Sequence, residues 1–402
     1  MTVPFETVCP LPWISIETAP VGAVRPCCLT RDFISTEDGL PMDLKEVSLS
    51  TAYKSPYMQK LRQQFRGGGK PETCGRCWNE EAAGRTSKRM HSLVKFKDKL
   101  ESIDWNNDTP DQLWFVDLKL GNICNLRCRI CGSWSSSRWA QEDIGYETEP
   151  NKKKTRSYNI LKAGSWPENN PEFWQDLENL LPEVQYIEFT GGEPFMVMRH
   201  YDLLKKAVDM GVAGNIRLHY NTNATLFPEL EDIWSQFKEV EIAFSIDNIG
   251  PRFEYERTGA FWHKVEENIS RFRDMASRCP GIRLQSCTTI NIQNAYYLPE
   301  TVAWLDQQDF QFVYLNMLHD PSHMCVSTMT PAAKELVLAK LDLNTFLPKH
   351  QKEVEAVKRF IEQGAGSDGK AFREYMAKID ERREESFQAL YPEMAEAMGY
   401  GS

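Results

Sequence analysis

The sequence predicts an α/β protein built on a part-open barrel of six βα units, and three observations predict it. Short runs rich in β-branched and aromatic residues recur from about residue 112. Amphipathic stretches of helical period separate them, the pattern of a parallel sheet with crossover helices. Three closely spaced cysteines follow the first run directly, where the C-terminal strand ends of such folds gather their sites.

The elements follow in order. LWFVDLKL (113–120) is the first strand, and VQYIEFT (184–190), after the helical pattern FWQDLENLL, is the second. IRLHYNT (216–222) follows YDLLKKAVDMG, and VEIAFSI (240–246) follows FPELEDIWSQF. IRLQSCTTI (282–290) and FQFVYLNM (310–317) are preceded by WHKVEENISRFRDMA and LPETVAWLDQQ. Right-handed crossovers make six such units curl in one direction, which gives a partial barrel over residues 110–328. The first 105 residues lack this rhythm and read as a separate cysteine-rich unit, bounded by the turn-forming DWNNDTPD (104–111). Residues 329–402 are helical and charged, and read as a C-terminal extension.

Composition narrows the function classes. The 402 residues are 41% apolar, and 47 Lys and Arg stand against 57 Asp and Glu, a net charge of −10. No excess basic field exists for nucleic acid or an anionic membrane. No apolar run is long enough to span a bilayer, and the N-terminus MTVPFETVCP lacks the charged and apolar regions of a secretory signal. The reading is cytoplasmic, where thiols stay reduced, so eleven cysteines point to metal chemistry rather than disulfides.

Cys124, Cys128 and Cys131 are one thiolate short of a closed structural site. Three thiolates on one loop suit a 4Fe–4S cluster with one iron open to an outside ligand. A zinc site with an open position is the rival, although thiolates without a nearby His or carboxylate suit iron–sulfur chemistry better.

Cys124-x3-Cys128-x2-Cys131 resembles the signature of the radical S-adenosylmethionine (radical SAM) superfamily. The resemblance implies that the open iron binds SAM and that one electron from the cluster cleaves it. The products are methionine and a 5′-deoxyadenosyl radical, which takes hydrogen from a C–H bond. Gly191, Gly192 and Glu193 in TGGEP, after the second strand, resemble the motif whose backbone receives the SAM amino group, and glycine permits the close approach. Asn223 in NTNAT, and Ser245 and Asp247 in AFSIDN, resemble further SAM contacts, the latter two to the ribose. Arg257 in YERTG resembles the arginine that pairs with the SAM carboxylate. Ile130 stands where the family often carries an aromatic residue against adenine; Trp134 offers a nearby ring.

Cys9-x12-Gly22-x4-Cys27, followed by Cys74-x2-Cys77, resembles a twitch domain, the half-sized relative of the SPASM domain, here N-terminal to the barrel. It implies a second, auxiliary 4Fe–4S cluster that is fully ligated and so suited to electron transfer. Cys28 is an alternative to Cys27, and a four-cysteine zinc knot is an alternative to the cluster. On the substrate side, Cys287 and Cys325 are candidate hydrogen donors, His319 and His323 candidate substrate contacts, and Asp117 and Lys119 share one strand face. The leading function is hydrogen abstraction from a small-molecule or sugar-type substrate, for dehydrogenation, bond formation or epimerisation, with a flavodoxin- or ferredoxin-type reductant. A peptide-modifying maturase is the second reading, and a non-catalytic iron–sulfur or zinc scaffold the third.

Overall fold

The computed structural model describes residues 6–82, 84 and 86–401. Its ten strands are β1 (Ser15–Thr18), β2 (Val24–Arg25), β3 (Phe115–Lys119), β4 (Arg127–Cys128), β5 (Tyr186–Thr190), β6 (Arg217–Thr222), β7 (Glu239–Phe244), β8 (Arg257–Thr258), β9 (Ile282–Ile290) and β10 (Phe312–Met317). Eight form one mostly parallel sheet, in the order β10-β9-β7-β6-β5-β3-β1-β2, and β4 and β8 form a two-stranded ribbon. The six predicted strands are β3, β5, β6, β7, β9 and β10. They follow one another across the sheet in chain order, as the partial-barrel expectation requires.

By internal packing the chain divides into two compact units. One comprises the residues up to Cys124 with Ser133–Tyr220 and Leu230–Val240; the other comprises Asn125–Gly132, Asn221–Glu229 and the residues from Glu241 onward. The expected border between 105 and 110 does not coincide with this division, because β1, from the cysteine-rich segment, pairs in parallel with β3. A four-residue strand reading SIET carries too little apolar alternation to be picked out from sequence.

In the first unit, β3 pairs with β5 and β5 with β6, all parallel. One sheet face carries Val116, Leu118, Ile187, Phe189, Leu218 and Tyr220, all buried. Phe189 stacks on Tyr220 with ring centroids 4.9 Å apart, and Trp234 lies 5.4 Å from Tyr220. Helix Pro171–Leu180 starts on an Asn170 cap whose side chain accepts the Phe173 N–H, with proline in the first turn. The opposite face carries Glu17, Asp117, Glu188 and His219.

In the second unit, β9 pairs in parallel with β10 and β4 antiparallel with β8. The predicted helical extension contains the helices Pro331–Lys340, Pro348–Gln363 and Lys370–Arg383. Among the described residues, no helix is long and apolar enough to cross a membrane.

Candidate functional site

The cysteine loop runs out of β3, and its first cysteine belongs to the first unit. Cys124 is buried, and its N–H donates to Ser137 Oγ at 3.2 Å. Beside it, the Glu193 N–H donates to the Ile123 carbonyl at 2.7 Å. Gly191 has φ +79°, and a Cβ on Gly192 would stand 2.1 Å from the Ile123 oxygen. Both glycines are therefore required, one by its left-handed backbone and one by the contact with the loop. Glu193 is buried, and its Oε1 accepts the Phe195 N–H at 3.2 Å.

Cys128 and Cys131 belong to the second unit, where Cys128 pairs with Arg257 in the β4–β8 ribbon. A hydrogen bond with Cys131 brings the Cys128 thiol down to about 7; burial opposes this, and the Arg257 and Arg383 guanidiniums assist it. Arg257 Nη1 lies 3.8 Å from Cys128 Sγ and Nη2 lies 2.6 Å from Asp247 Oδ2. Its buried Nε finds no acceptor among the described residues. The expectation for Arg257 was a carboxylate of SAM, and a buried guanidinium with an unanswered donor suits that ligand. A thiol near neutrality suits iron ligation, since the thiolate is the form that binds metal. The Cys128 thiol thus suits a metal, and the Arg257 guanidinium a carboxylate ligand.

The other expected contacts are placed as follows. Asp247 is engaged twice, by Arg257 and by the Thr289 N–H, which donates to Oδ1 at 2.8 Å. Asn223 Nδ2 donates to Asn125 Oδ1 at 2.9 Å, so it steadies the residue between the first two loop cysteines. Ser245 and Ile130 are half-buried. Cys287 shares the surroundings of Arg257 and Asp247: burial and the Asp247 carboxylate push its thiol up to about 12, while Arg257 opposes. Cys325 is buried elsewhere in the unit, with Sγ 3.4 Å from the Pro321 carbonyl. The His319 ring packs on Phe360 and the His323 ring on Tyr375, so the two histidines turn to different neighbours.

Sequence reasoning missed the support behind this loop. Arg129 is wholly buried, its Nη2 2.8 Å from Asp380 Oδ1 and also paired with Glu385. Tyr375 donates to the Arg129 carbonyl at 2.6 Å, and Arg383 donates to the Arg127 carbonyl at 3.0 Å. The C-terminal extension thus grips the loop by its backbone and its one buried cation.

In the first unit, Cys9, Cys27, Cys74 and Cys77 line one small cavity, with Leu11, Phe65 and Trp78 among its walls. Burial raises all four thiols, and neighbouring thiols add to the rise at Cys9, Cys27 and Cys74. Thiolates gathered so closely in an apolar wall are stable only with metal cations among them. No three His, Cys, Asp or Glu among the described residues are grouped to hold a metal ion as they stand. Cys28 does not line this cavity; its Sγ lies 3.0 Å from Lys88 Nζ.

Residues 118–290, from β3 to the last residue of β9, match the sequence model of the Radical SAM superfamily. No curated protein matches the chain in sequence. Among solved structures, native anSMEcpe with bound AdoMet is 18% identical, with 58% of each chain covered and a TM-score of 0.37. The alignment therefore spans little more than half the length of that protein. Streptococcus suis SuiB bound to S-adenosylmethionine is 13% identical, over 83% of this chain and 68% of that one, with a TM-score of 0.36. The radical S-adenosylmethionine methyltransferase TsrM from Kitasatospora setae, with tryptophan substrate and a SAM analog, is 14% identical over 36% of this chain and 29% of that one, with a TM-score of 0.29. The matched segment, residues 118–290, is less than half of the chain.

Proposed function

We propose that Cys124, Cys128 and Cys131 hold a 4Fe–4S cluster that binds SAM, and that Cys9, Cys27, Cys74 and Cys77 hold a second, auxiliary cluster. When bound, the first supplies the 5′-deoxyadenosyl radical that takes hydrogen from a substrate C–H bond. Arg257, fixed by Asp247, answers the SAM carboxylate, and Gly191 and Gly192 let the backbone before Glu193 approach the cofactor. Cys27 is the auxiliary ligand and Cys28 is not.

The observation that carries this reading is the four-thiol cavity, because four cysteines are assembled there from three separate stretches of chain. Full ligation by four thiolates leaves no open iron, which suits electron transfer. A hydrophilic small molecule is the substrate class, supported by the charged residues Glu17, Asp117, Lys119 and Glu188 on one face of neighbouring strands. A flavodoxin- or ferredoxin-type protein would supply the electron.

Anaerobic reconstitution tests the proposal. Iron and sulfide should reach the content of two clusters, fall to that of one in Cys27→Ala, and 5′-deoxyadenosine should appear on adding SAM and dithionite. Zinc in place of the second cluster, or an intact first cluster that leaves SAM uncleaved, would overturn the corresponding half.

A further inference from the structure

Parallel register places Glu17 beside Asp117, Asp117 beside Glu188 and Glu188 beside His219, all on one face of the first unit's sheet. Asp117 is 3% exposed, and Thr190 Oγ1 donates to its Oδ1 at 3.1 Å. Asp117 and Glu188 are direct neighbours across the β3–β5 pair. Burial and the Glu188 charge push Asp117 up to about 7; burial also acts to raise Glu188, but Lys88, His219 and Lys95 hold it down at about 2. Two carboxyls separated in this way hold one proton between them near neutrality. Glu17 pairs with Lys119 through Oε1, and its wholly buried Oε2 has no partner among the described residues, so the row keeps one acceptor for an outside donor.

Lys88 opens the helix Lys88–Lys95, whose Ser87 cap accepts the Met90 N–H. Its Nζ lies 3.5 Å from Glu188 Oε2 and 3.8 Å from Asp117 Oδ2. The same side chain lines the four-thiol cavity and touches Cys28. One ammonium group therefore faces the thiols on one side and the carboxyl pair on the other.

We infer that Lys88 couples the auxiliary centre to the Asp117–Glu188 pair, so that adding an electron to the centre and a proton to the pair favour one another. The inference rests on the two-cluster reading. Extra negative charge at the centre draws on Lys88 and weakens its hold on the carboxylates, which then bind a proton more tightly. By linkage, protonating the pair makes the centre easier to reduce by the same factor. Low dielectric around buried charges keeps the effect from being screened away. Glu17, Lys119, His219, Lys95 and Cys28 also face this group and set its baseline. The device suits a substrate whose oxidation releases a proton with an electron. A carbon-centred radical that bears a hydroxyl becomes a carbonyl by giving up one of each. The O–H proton goes to a carboxylate of the pair, and the unpaired electron goes to the centre; a radical carbon that bears an amine gives the imine likewise.

Potentiometric titration of the reconstituted holoenzyme, followed by electron paramagnetic resonance across roughly pH 6 to 8, reads the coupling directly. The second cluster's potential should fall as pH rises through about 7 in wild type and be flat in Asp117→Asn. Lys88→Met should lower the potential and flatten it, and Lys88→Arg should restore both; the SAM-binding cluster should keep its own profile throughout. If Lys88→Met does not fold, the Asp117→Asn comparison alone decides. A second cluster whose potential ignores pH and is unchanged in Asp117→Asn overturns the coupling and leaves the two-cluster reading intact. A protein with iron for one cluster only overturns that reading instead.

Discussion

Asp247→Ala perturbs the second unit at the carboxylate that fixes Arg257. Asp247 is 2% exposed and Arg257 8% exposed, so the pair is shielded from water on both sides. Removing the carboxylate strands a buried guanidinium and leaves the Thr289 N–H without its acceptor. Removing one partner of a buried ion pair costs about 3–5 kcal/mol, because the other charge remains desolvated. At about 2–4 °C per kcal/mol for a folding unit of 150–250 residues, melting should fall by roughly 10 °C. Thermal unfolding of the metal-free protein, followed by circular dichroism and calorimetry, measures this. Asp247→Asn should fall between wild type and Asp247→Ala, since its amide oxygen can still accept the Thr289 N–H. Arg257→Met added to Asp247→Ala should recover much of the loss by removing the stranded charge. If single and double variants melt alike, within about 0.5 kcal/mol, Asp247 does not hold Arg257 and the reasoning fails.

Gly192→Ala forces a methyl group to 2.1 Å from the Ile123 carbonyl, so it should lower stability and abolish SAM-dependent spectral change, whereas Gly214→Ala, whose methyl would meet only the Gln236 carbonyl at 4.0 Å, should do neither. Cys28→Ala should keep the iron content of two clusters, and Cys27→Ala should lose one; equal losses in both would contradict the assignment of Cys27. Glu256, held by Asn248 and Tyr391, is pushed up to about 8 by burial and the Asp247 charge. The folded state therefore keeps a proton that the unfolded state loses above about pH 4.5, and stability falls as pH rises from there to about 8. Glu256→Gln should flatten that slope and gain up to about 3 kcal/mol at pH 7, read as melting temperature against pH in both proteins.

The legibility of this chain followed the range of its interactions. The loop cysteines and the two glycines could be read because their spacing is local and each has a direct chemical reason. The strands β3, β5, β6, β7, β9 and β10 could be read because their side chains alternate over five or more residues. β1 could not: Glu17 is charged yet wholly buried, and only its partner Lys119, 102 residues away, makes that tolerable. The grip of the C-terminal extension was equally hidden, since Arg383 reaches the Arg127 carbonyl across 256 residues. Cys27 and Cys28 were indistinguishable as letters. Only the backbone direction sends one into the thiol cavity and the other towards Lys88.

The two thiols named as hydrogen donors separate on the same grounds. Both remain protonated at neutral pH, Cys287 at about 12 and Cys325 at about 11, raised by burial in each case. Holding a hydrogen is therefore not what distinguishes them; access is. Cys325 is 3% exposed, with its sulfur against the Pro321 carbonyl. Cys287 is half-buried and stands in the field of Asp247 and Arg257, the residues expected beside the cofactor. If a thiol quenches the substrate radical, product formed in heavy water should carry deuterium in wild type and in Cys325→Ser, and lack it in Cys287→Ser. Loss of label in Cys325→Ser alone would reverse the choice. Unlabelled product from all three proteins would exclude thiol quenching and direct the radical's electron to an oxidative outcome, the one for which the carboxyl pair beside Lys88 is arranged.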